Sequence, residues 1–286
     1  MSRSEERTEI DYIKCPACGA SAMRTAADSL SCSDCRMDVV SIGLNKGGEG
    51  GGFEPGNTDT NTLHVVLPAY NEGETIGEVI ESIPDRVQGH EVVPLVVSDG
   101  STDGTAEIAL RKGASVVEHA ENLGQGAALR TGFEISRSIG SDIIVTMDAD
   151  GQHPVEQLED IITPVMNDEA DFVIGSRYLG NDNSGNGLTR RAGIRAFTLL
   201  LNALTRSSIT DCTNGFRAIR TSEVENLTLE ENRFNAPEMI IESKKNGLRV
   251  QEVPIHVKER QAGETKKPKL GYAVGLARTT LSSWIR

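Results

Sequence analysis

From Leu63 onward, short apolar runs alternate with stretches of helical spacing. LHVVLP (63–68) reads as a buried strand. In NEGETIGEVIESI an acidic opening precedes Ile76, Val79, Ile80 and Ile83, which recur at the spacing of one helix face. VVPLVVSDGSTDGT is a strand followed by a turn, and Thr105 to Lys112 is helical. SVVEHA is a short strand, GQGAALRTGFEISRSIG a helix and DIIVTMDAD another strand. PVEQLEDIITPVM is a helix opened by proline, and DFVIGS is the next strand. Strands alternating with helices predict βαβ units around a parallel sheet. Ligands of such sheets bind at the carboxyl ends of the strands, which is where LPAYNE, SDGSTDGT, MDADGQ and GSRY all fall. No glycine fingerprint follows the first strand, which counts against a dinucleotide-binding enzyme.

The flanks differ from this pattern. Four of the five cysteines lie in the first 35 residues, as Cys15-Pro-Ala-Cys18 and Cys32-Ser-Asp-Cys35. Thiolates two residues apart can take two corners of a tetrahedron, and the intervening thirteen residues leave room for a hairpin. A module this short has too little core to fold alone, so bound Zn2+ would supply its folding energy. Two disulfides or a redox pair are the alternatives, and a chain without a secretion signal favours zinc. Four thiolates fill the shell, so the expected zinc is structural. The predicted organisation is a zinc-ribbon-like module over 1–42, a glycine-rich flexible linker over 43–61 and the α/β domain over 62–267. A helix follows over 268–286, with Leu270, Val274, Ala277 and Leu281 on one rough face and Trp284 near its end. Such a helix could lie against lipid, a partner or the core. Cys212 stands alone and is expected to be a buried small residue.

Composition narrows the function classes. The net charge of −13 argues against nucleic-acid binding, which needs a basic face. Arginine outnumbers lysine 20 to 9. An acidic surplus with little lysine suits a halophilic protein, since salt screens self-repulsion, and also an ordinary acidic cytosolic one. No signal peptide or membrane-spanning run is visible, so the expected location is cytoplasmic, peripheral on the inner face of the cell membrane.

The strongest candidate chemistry is at Asp148-Ala149-Asp150. Two carboxylates one residue apart at a strand end can hold a Mg2+ or Mn2+ ion, with Gln152 adding a neutral oxygen. Such an ion neutralises a departing diphosphate. Alone the tripeptide is a weak signal, and its place after an apolar strand strengthens it. At the first strand's exit, Pro68-Ala69-Tyr70-Asn71-Glu72 offers an aromatic ring to pack on a base and a carboxylate to accept from base or ribose. Asp99 ends the second strand and could bond uracil or ribose, while Asp103 would cap the next helix. A turn plus a cap is the bland alternative for this motif. His153 is expected to be structural or to support another site residue, with contact to the diphosphate as the alternative, and Glu238 to be a charge at a helix start.

Together these motifs resemble the family-2 inverting glycosyltransferases of GT-A fold, in particular the dolichyl-phosphate (polyprenyl-phosphate) mannosyl- and glucosyltransferases. The resemblance runs from Leu63 to Lys267 through LPAYNEGETI, SDGSTDGT, NLGQGAALRTGF, MDADGQHP, GSRY, DCTNGFRA and GLRVQEVPIHVKERQAGETK. It implies a mostly parallel sheet with helices on both faces. It implies nucleotide contacts at Pro68, Ala69, Tyr70, Asn71, Glu72, Asp99, Gly126, Asp148 and Ala149, and metal contacts at Asp148, Asp150 and Gln152. Arg177, Arg191, Arg260 and Lys267 fall on positions associated with the acceptor phosphate or diphosphate. The implied reaction moves a hexose from a UDP- or GDP-sugar to a polyprenyl phosphate at a membrane surface. A phosphate monoester, with a second pKa of about 6, is already nucleophilic at neutral pH and needs positioning by arginines rather than a base. A hydroxyl acceptor would need one, and Asp211 is the candidate, with bonding of its own turn as the alternative role. A polysaccharide or glycan hydroxyl acceptor, and a zinc-ribbon adaptor with a non-catalytic sugar-nucleotide-binding domain, are the competing readings. The chain departs from the family pattern at Ser98, where an acidic residue is usual, at Gln125, where lysine is frequent, and at Ile194 or Arg195, where serine is common.

Overall fold

The structure is a computed structural model and describes residues 23–26, 29–32, 38–43, 61–182, 188–233, 235–257 and 269–286. Its centre is the parallel set β4 (Thr62–Ala69), β6 (His90–Asp99), β7 (Ser115–His119) and β8 (Ile143–Thr146), in the order β7-β6-β4-β8. β4 is buried along nearly its whole length because helices cover both faces, as a parallel sheet requires. Its alternate residues feed two cores. Leu63, Val65 and Leu67 pack with Ile76, Val79 and Ile80 of α1 (Ile76–Ser82), with Ala106 and Ala109 of α2 (Thr105–Arg111), and with Leu158, Ile161 and Ile162 of α4 (Leu158–Met166). Val66 points the other way, toward Leu129 and Phe133 of α3 (Gln125–Ser138), Phe197 and Leu201 of α5 (Leu188–Thr205), and Met239 to Ile241 of α7 (Asn235–Lys245).

The sheet continues beyond β8 as β10 (Arg217–Arg220), β9 (Phe172–Asp182) and β11 (Val250–Val257). β10 runs antiparallel to both β8 and β9, and β11 is parallel to β9. The two-residue β5 (Arg86–Val87) pairs with β6, and the four-residue α6 (Thr221–Val224) follows β10. On the other side β1 (Met23–Ala26), β2 (Ser29–Cys32) and β3 (Asp38–Gly43) form an antiparallel meander, and β3 pairs with β7. These strands therefore extend the main sheet. Cys15, Cys18 and Cys35 lie outside the described residues, and Cys32 is described only as the last residue of β2. Residues 44–60 of the expected linker also lie outside them.

Several boundaries shift from those expected. β8 ends at Thr146, so Asp148 to Asp150 occupy the turn after the strand rather than the strand itself. Pro154 opens a 3-10 turn over Val155–Gln157, and α4 begins only at Leu158. α8 (Lys269–Ile285) packs on α5 and α7. Thr279, Thr280 and Ser283 are buried on it, while Leu281, Trp284 and Ile285 face outward. Among the described residues no helix is long and apolar enough to cross a membrane.

His64 lies in β4 on the Val66 side, 1% exposed, and its Nδ1 has no hydrogen-bond partner. Burial pushes its pKa down to about 4. Between that value and an unfolded pKa of about 6.5, the unfolded chain binds a proton that the folded protein refuses, so stability falls as pH falls through this window. We predict that lowering the pH from about 7 to about 5 costs the native protein about 2 kcal/mol more than it costs His64→Leu. Urea denaturation at the two pH values checks this, and parallel losses in both proteins would refute it.

Candidate active site

The loops at the carboxyl ends of β4 and β6 are laced together. Asn71 has a left-handed backbone (φ 55°), which turns its N–H to Ser101 Oγ (3.1 Å) and its Oδ1 to the N–H of Thr102 (2.8 Å). Glu72 N donates to Thr105 Oγ1 (3.0 Å) and Gly73 N to Asp103 Oδ2 (2.9 Å). Asp103 also accepts from the N–H of Thr105, the first residue of α2, at 3.1 Å. Partial burial pushes its carboxyl pKa up, and the bonds from Thr105 and Gly73 outweigh this and hold it below the usual range. Thr75 Oγ1 then reaches across to Ala149 O (2.9 Å), tying the first loop to the turn after β8. The Tyr70 ring stands 49% exposed at this rim.

Asp148 is braced from two sides. Gln125 Nε2, in the first turn of α3, donates to its Oδ1 at 2.9 Å, and His153 Nε2 lies 3.2 Å from its Oδ2. His153 is stacked on Phe216 with ring centroids 5.5 Å apart, which fixes the imidazole and supports the structural role expected of it. Gly215 backs the carboxylate, where a Cβ would lie 2.8–2.9 Å from both oxygens. Asp150 is 7% exposed and accepts the Gln152 N–H at 3.1 Å within its own turn. Among the described residues no three His, Cys, Asp or Glu side chains form a group that could hold a metal ion alone. The oxygen donors of Asp148 and Asp150 in one turn suit a hard divalent ion that takes its remaining ligands from phosphate and water oxygens.

Three expected site residues are occupied differently. Asp99 is 3% exposed. Its carboxylate accepts from the N–H groups of Leu123 (2.9 Å) and Gly124 (2.7 Å) and lies 2.7 Å from His119 Nδ1. It therefore holds the loop ahead of α3. Asp211 has no exposure and forms a two-pronged pair with Arg177, Nε to Oδ2 at 2.6 Å and Nη2 to Oδ1 at 2.9 Å. Arg177 also donates to Thr213 Oγ1 at 2.7 Å. The candidate base and the candidate phosphate ligand thus hold each other. Glu252 supports this corner by accepting the N–H groups of Thr210 (2.7 Å) and Asp211 (2.8 Å), and burial pushes its pKa up. Arg191 is half-buried on α5, while Arg260 and Lys267 lie outside the described residues.

Arg217 is a residue whose role the sequence conceals. It is 2% exposed, and its guanidinium donates to the carbonyls of Cys212, Asn214 and Ala236 at 2.7–3.1 Å. Burial lowers its pKa to about 10. It pins the loop that carries Asp211 and Gly215. Cys212 in that loop is fully buried beside Thr198, as expected, and burial pushes its thiol up to about 11.

Residues 64–228 match the family described as glycosyl transferase family 2. The chain is 35% identical over 204 residues to the dolichyl-phosphate hexose transferase of Haloferax volcanii, covering 71% of this chain and 86% of that protein. It is 30% identical over 214 residues to the UDP-N-acetylglucosamine–dolichyl-phosphate N-acetylglucosaminyltransferase of Methanococcus voltae, covering 68% and 84%. Its fold superposes with a TM-score of 0.63 and 25% identity on glucosyl-3-phosphoglycerate synthase from Mycobacterium tuberculosis, solved with Mn2+ and UDP-glucose, covering 78% of this chain and 79% of that one. The chain is a glycosyltransferase whose mixed α/β sheet has a GT-A-like fold. The chain belongs to glycosyl transferase family 2.

Removing one partner of a buried ion pair leaves an uncompensated charge, so Asp211→Asn is predicted to destabilise the protein by about 3–5 kcal/mol. Urea denaturation measures this. Unchanged stability with lost activity would instead indicate a base.

Proposed function

We propose that the protein transfers a hexose from a UDP- or GDP-sugar to a polyprenyl phosphate. The observation that carries this reading is the locked Arg177–Asp211 pair. A hydroxyl acceptor needs a base to take its proton, and the candidate base is buried and fully engaged. A phosphate monoester attacks without one. The names of the Haloferax and Methanococcus relatives, both dolichyl-phosphate transferases, support the same acceptor.

In this reading the nucleobase and ribose lie by Tyr70 and Glu72 at the exit of β4, and the diphosphate lies by Asp148 and Ala149, while Gly126, whose N–H is taken by Asn232 O, backs Gln125 from behind. Asp148 and Asp150, with Gln152 nearby, would hold Mg2+ or Mn2+ against the diphosphate oxygens. Bound there, the ion offsets the charge that collects on the leaving nucleoside diphosphate. An oxygen of the acceptor phosphate attacks the anomeric carbon on the face opposite the diphosphate. The new C–O bond forms as the bond to the diphosphate breaks, which inverts the configuration. Arg191, Arg260 and Lys267 are proposed to hold the acceptor phosphate, with Arg177 shaping the pocket wall through Asp211. The outward-facing Leu199 and Leu200 of α5 and Leu281, Trp284 and Ile285 of α8 support a peripheral position on the inner face of the cell membrane. Cys15, Cys18, Cys32 and Cys35 are proposed to bind a structural Zn2+.

The test incubates the purified protein and Mn2+ with UDP- and GDP-hexoses, with either dolichyl phosphate or hydroxyl acceptors. A labelled glycolipid is expected, abolished by chelation and reduced on the order of a hundredfold or more by Asp150→Ala. Turnover on hydroxyl acceptors alone would sink the reading, as would nucleotide binding without any glycolipid.

A further inference from the structure

The loop between α6 and α7 closes on the opening of α3 at backbone distance. Gly126 N donates to Asn232 O at 2.8 Å. A Cβ on Gly126 would overlap the carbonyl oxygen of Glu231, and one on Gly124 would lie 2.6 Å from Asn232 O. Arg130, one turn along α3, reaches Glu231 O at 3.3 Å and also bonds Asn232 Oδ1. The helix turn that carries Gln125 to Asp148 is therefore walled by residues 231–232.

That wall has its own support on the far side. The buried carboxylate of Glu238 accepts the N–H groups of Glu230 and Glu231 at 2.9–3.2 Å. Burial pushes the pKa of Glu238 up despite these bonds. Its counter-charge is Arg286, which follows α8 and donates through Nη2 to Glu238 Oε1 at 2.7 Å. The same guanidinium pairs with Glu230. On α8, Ser282 Oγ lies 3.4 Å from Glu231 Oε1.

We propose that Arg286 and Glu238 are positioning residues for the sugar nucleotide, acting through the loop at 230–232 on the first turn of α3. The proposal rests on placing the donor diphosphate at Asp148. Without Arg286 the buried carboxylate loses its cation, and it must take a proton or turn toward water. Either change weakens the carboxylate's hold on the amides of Glu230 and Glu231. The loop then withdraws from Gly126, and Gln125 loses the alignment that holds Asp148. Neither Arg286 nor Glu238 needs to touch the ligand, so the effect falls on donor affinity more than on the bond-breaking step.

The test measures binding of UDP and GDP, each with Mn2+, by titration calorimetry, and donor KM and kcat with dolichyl phosphate. It compares the full chain with Arg286→Ala, Arg286→Lys, Gly126→Ala and the double variant R286A/G126A, all below their unfolding midpoints. Arg286→Ala is expected to raise the nucleotide Kd and donor KM about tenfold and to change kcat by no more than about threefold. Arg286→Lys restores part of the affinity, and the double variant is no weaker than the weaker single one, because both break the same relay. An Arg286→Ala protein that melts earlier yet binds nucleotide like the wild type while folded would overturn the relay. If that variant does not fold, Glu230→Gln serves instead, with a Kd raised about two- to threefold, and unchanged binding again overturns the proposal. Wild-type protein that binds neither nucleotide overturns the donor-site reading, and the relay falls with it. Binding by the wild type and equally by Arg286→Ala removes the relay alone.

Discussion

Backbone N–H groups in loops beside a parallel sheet have no strand to pair with, and leaving them buried and unbonded is costly. This protein satisfies them with carboxylates. Asp99 takes the amides ahead of α3, Asp103 those of Gly73 and Thr105, Glu252 those of Thr210 and Asp211, and Glu238 those of Glu230 and Glu231. Asp99, Asp103 and Glu252 join pieces of chain at least 24 residues apart, and Glu238 joins α7 to the loop just before it. The shape of the strand-end face therefore depends on the charge state of these carboxylates.

Asp148 shows how these braces converge. Its carboxylate is held by Gln125 from α3 and His153 from the following loop, with the backbone of Gly215 behind it. Gln125 is aligned by Asp99 on one side and by the loop at 230–232 on the other. Gly215 is aligned by Thr146, whose Oγ1 donates to Gly215 O at 2.7 Å, and by Arg217 through Asn214 O. Asp148 is thus held in place by its neighbours, so little reordering is needed there when an ion or anion binds.

The α/β framework was legible because β4, β6 and β8 are buried on both faces and so carry apolar runs such as VVLP, PLVV and IIV. The turn holding Asp148 and Asp150 was legible from its place after such a run. The roles of neighbouring charges were not. Arg177 and Asp211 are 34 residues apart, and nothing local marks them as partners. Asp99 looks the same in sequence whether it faces a nucleobase or two amides. Arg217 reads as an ordinary basic residue, yet it is buried, and among the described residues its hydrogen bonds go to main-chain carbonyls. At the described end of α8 the buried residues are Thr279, Thr280 and Ser283, whereas a pattern based on apolar residues selects the exposed Leu281.

The pairing of β3 with β7 has a consequence for colloidal behaviour. β7 would otherwise end the parallel sheet as an open row of donors and acceptors, and open rows recruit strands from other molecules. The register breaks between Val39 and Ser41, and an irregularity of this kind twists a strand away from flat stacking. Among the described residues the meander moves this edge from β7 to the four-residue β1, and so short an edge offers few groups for another chain to pair with.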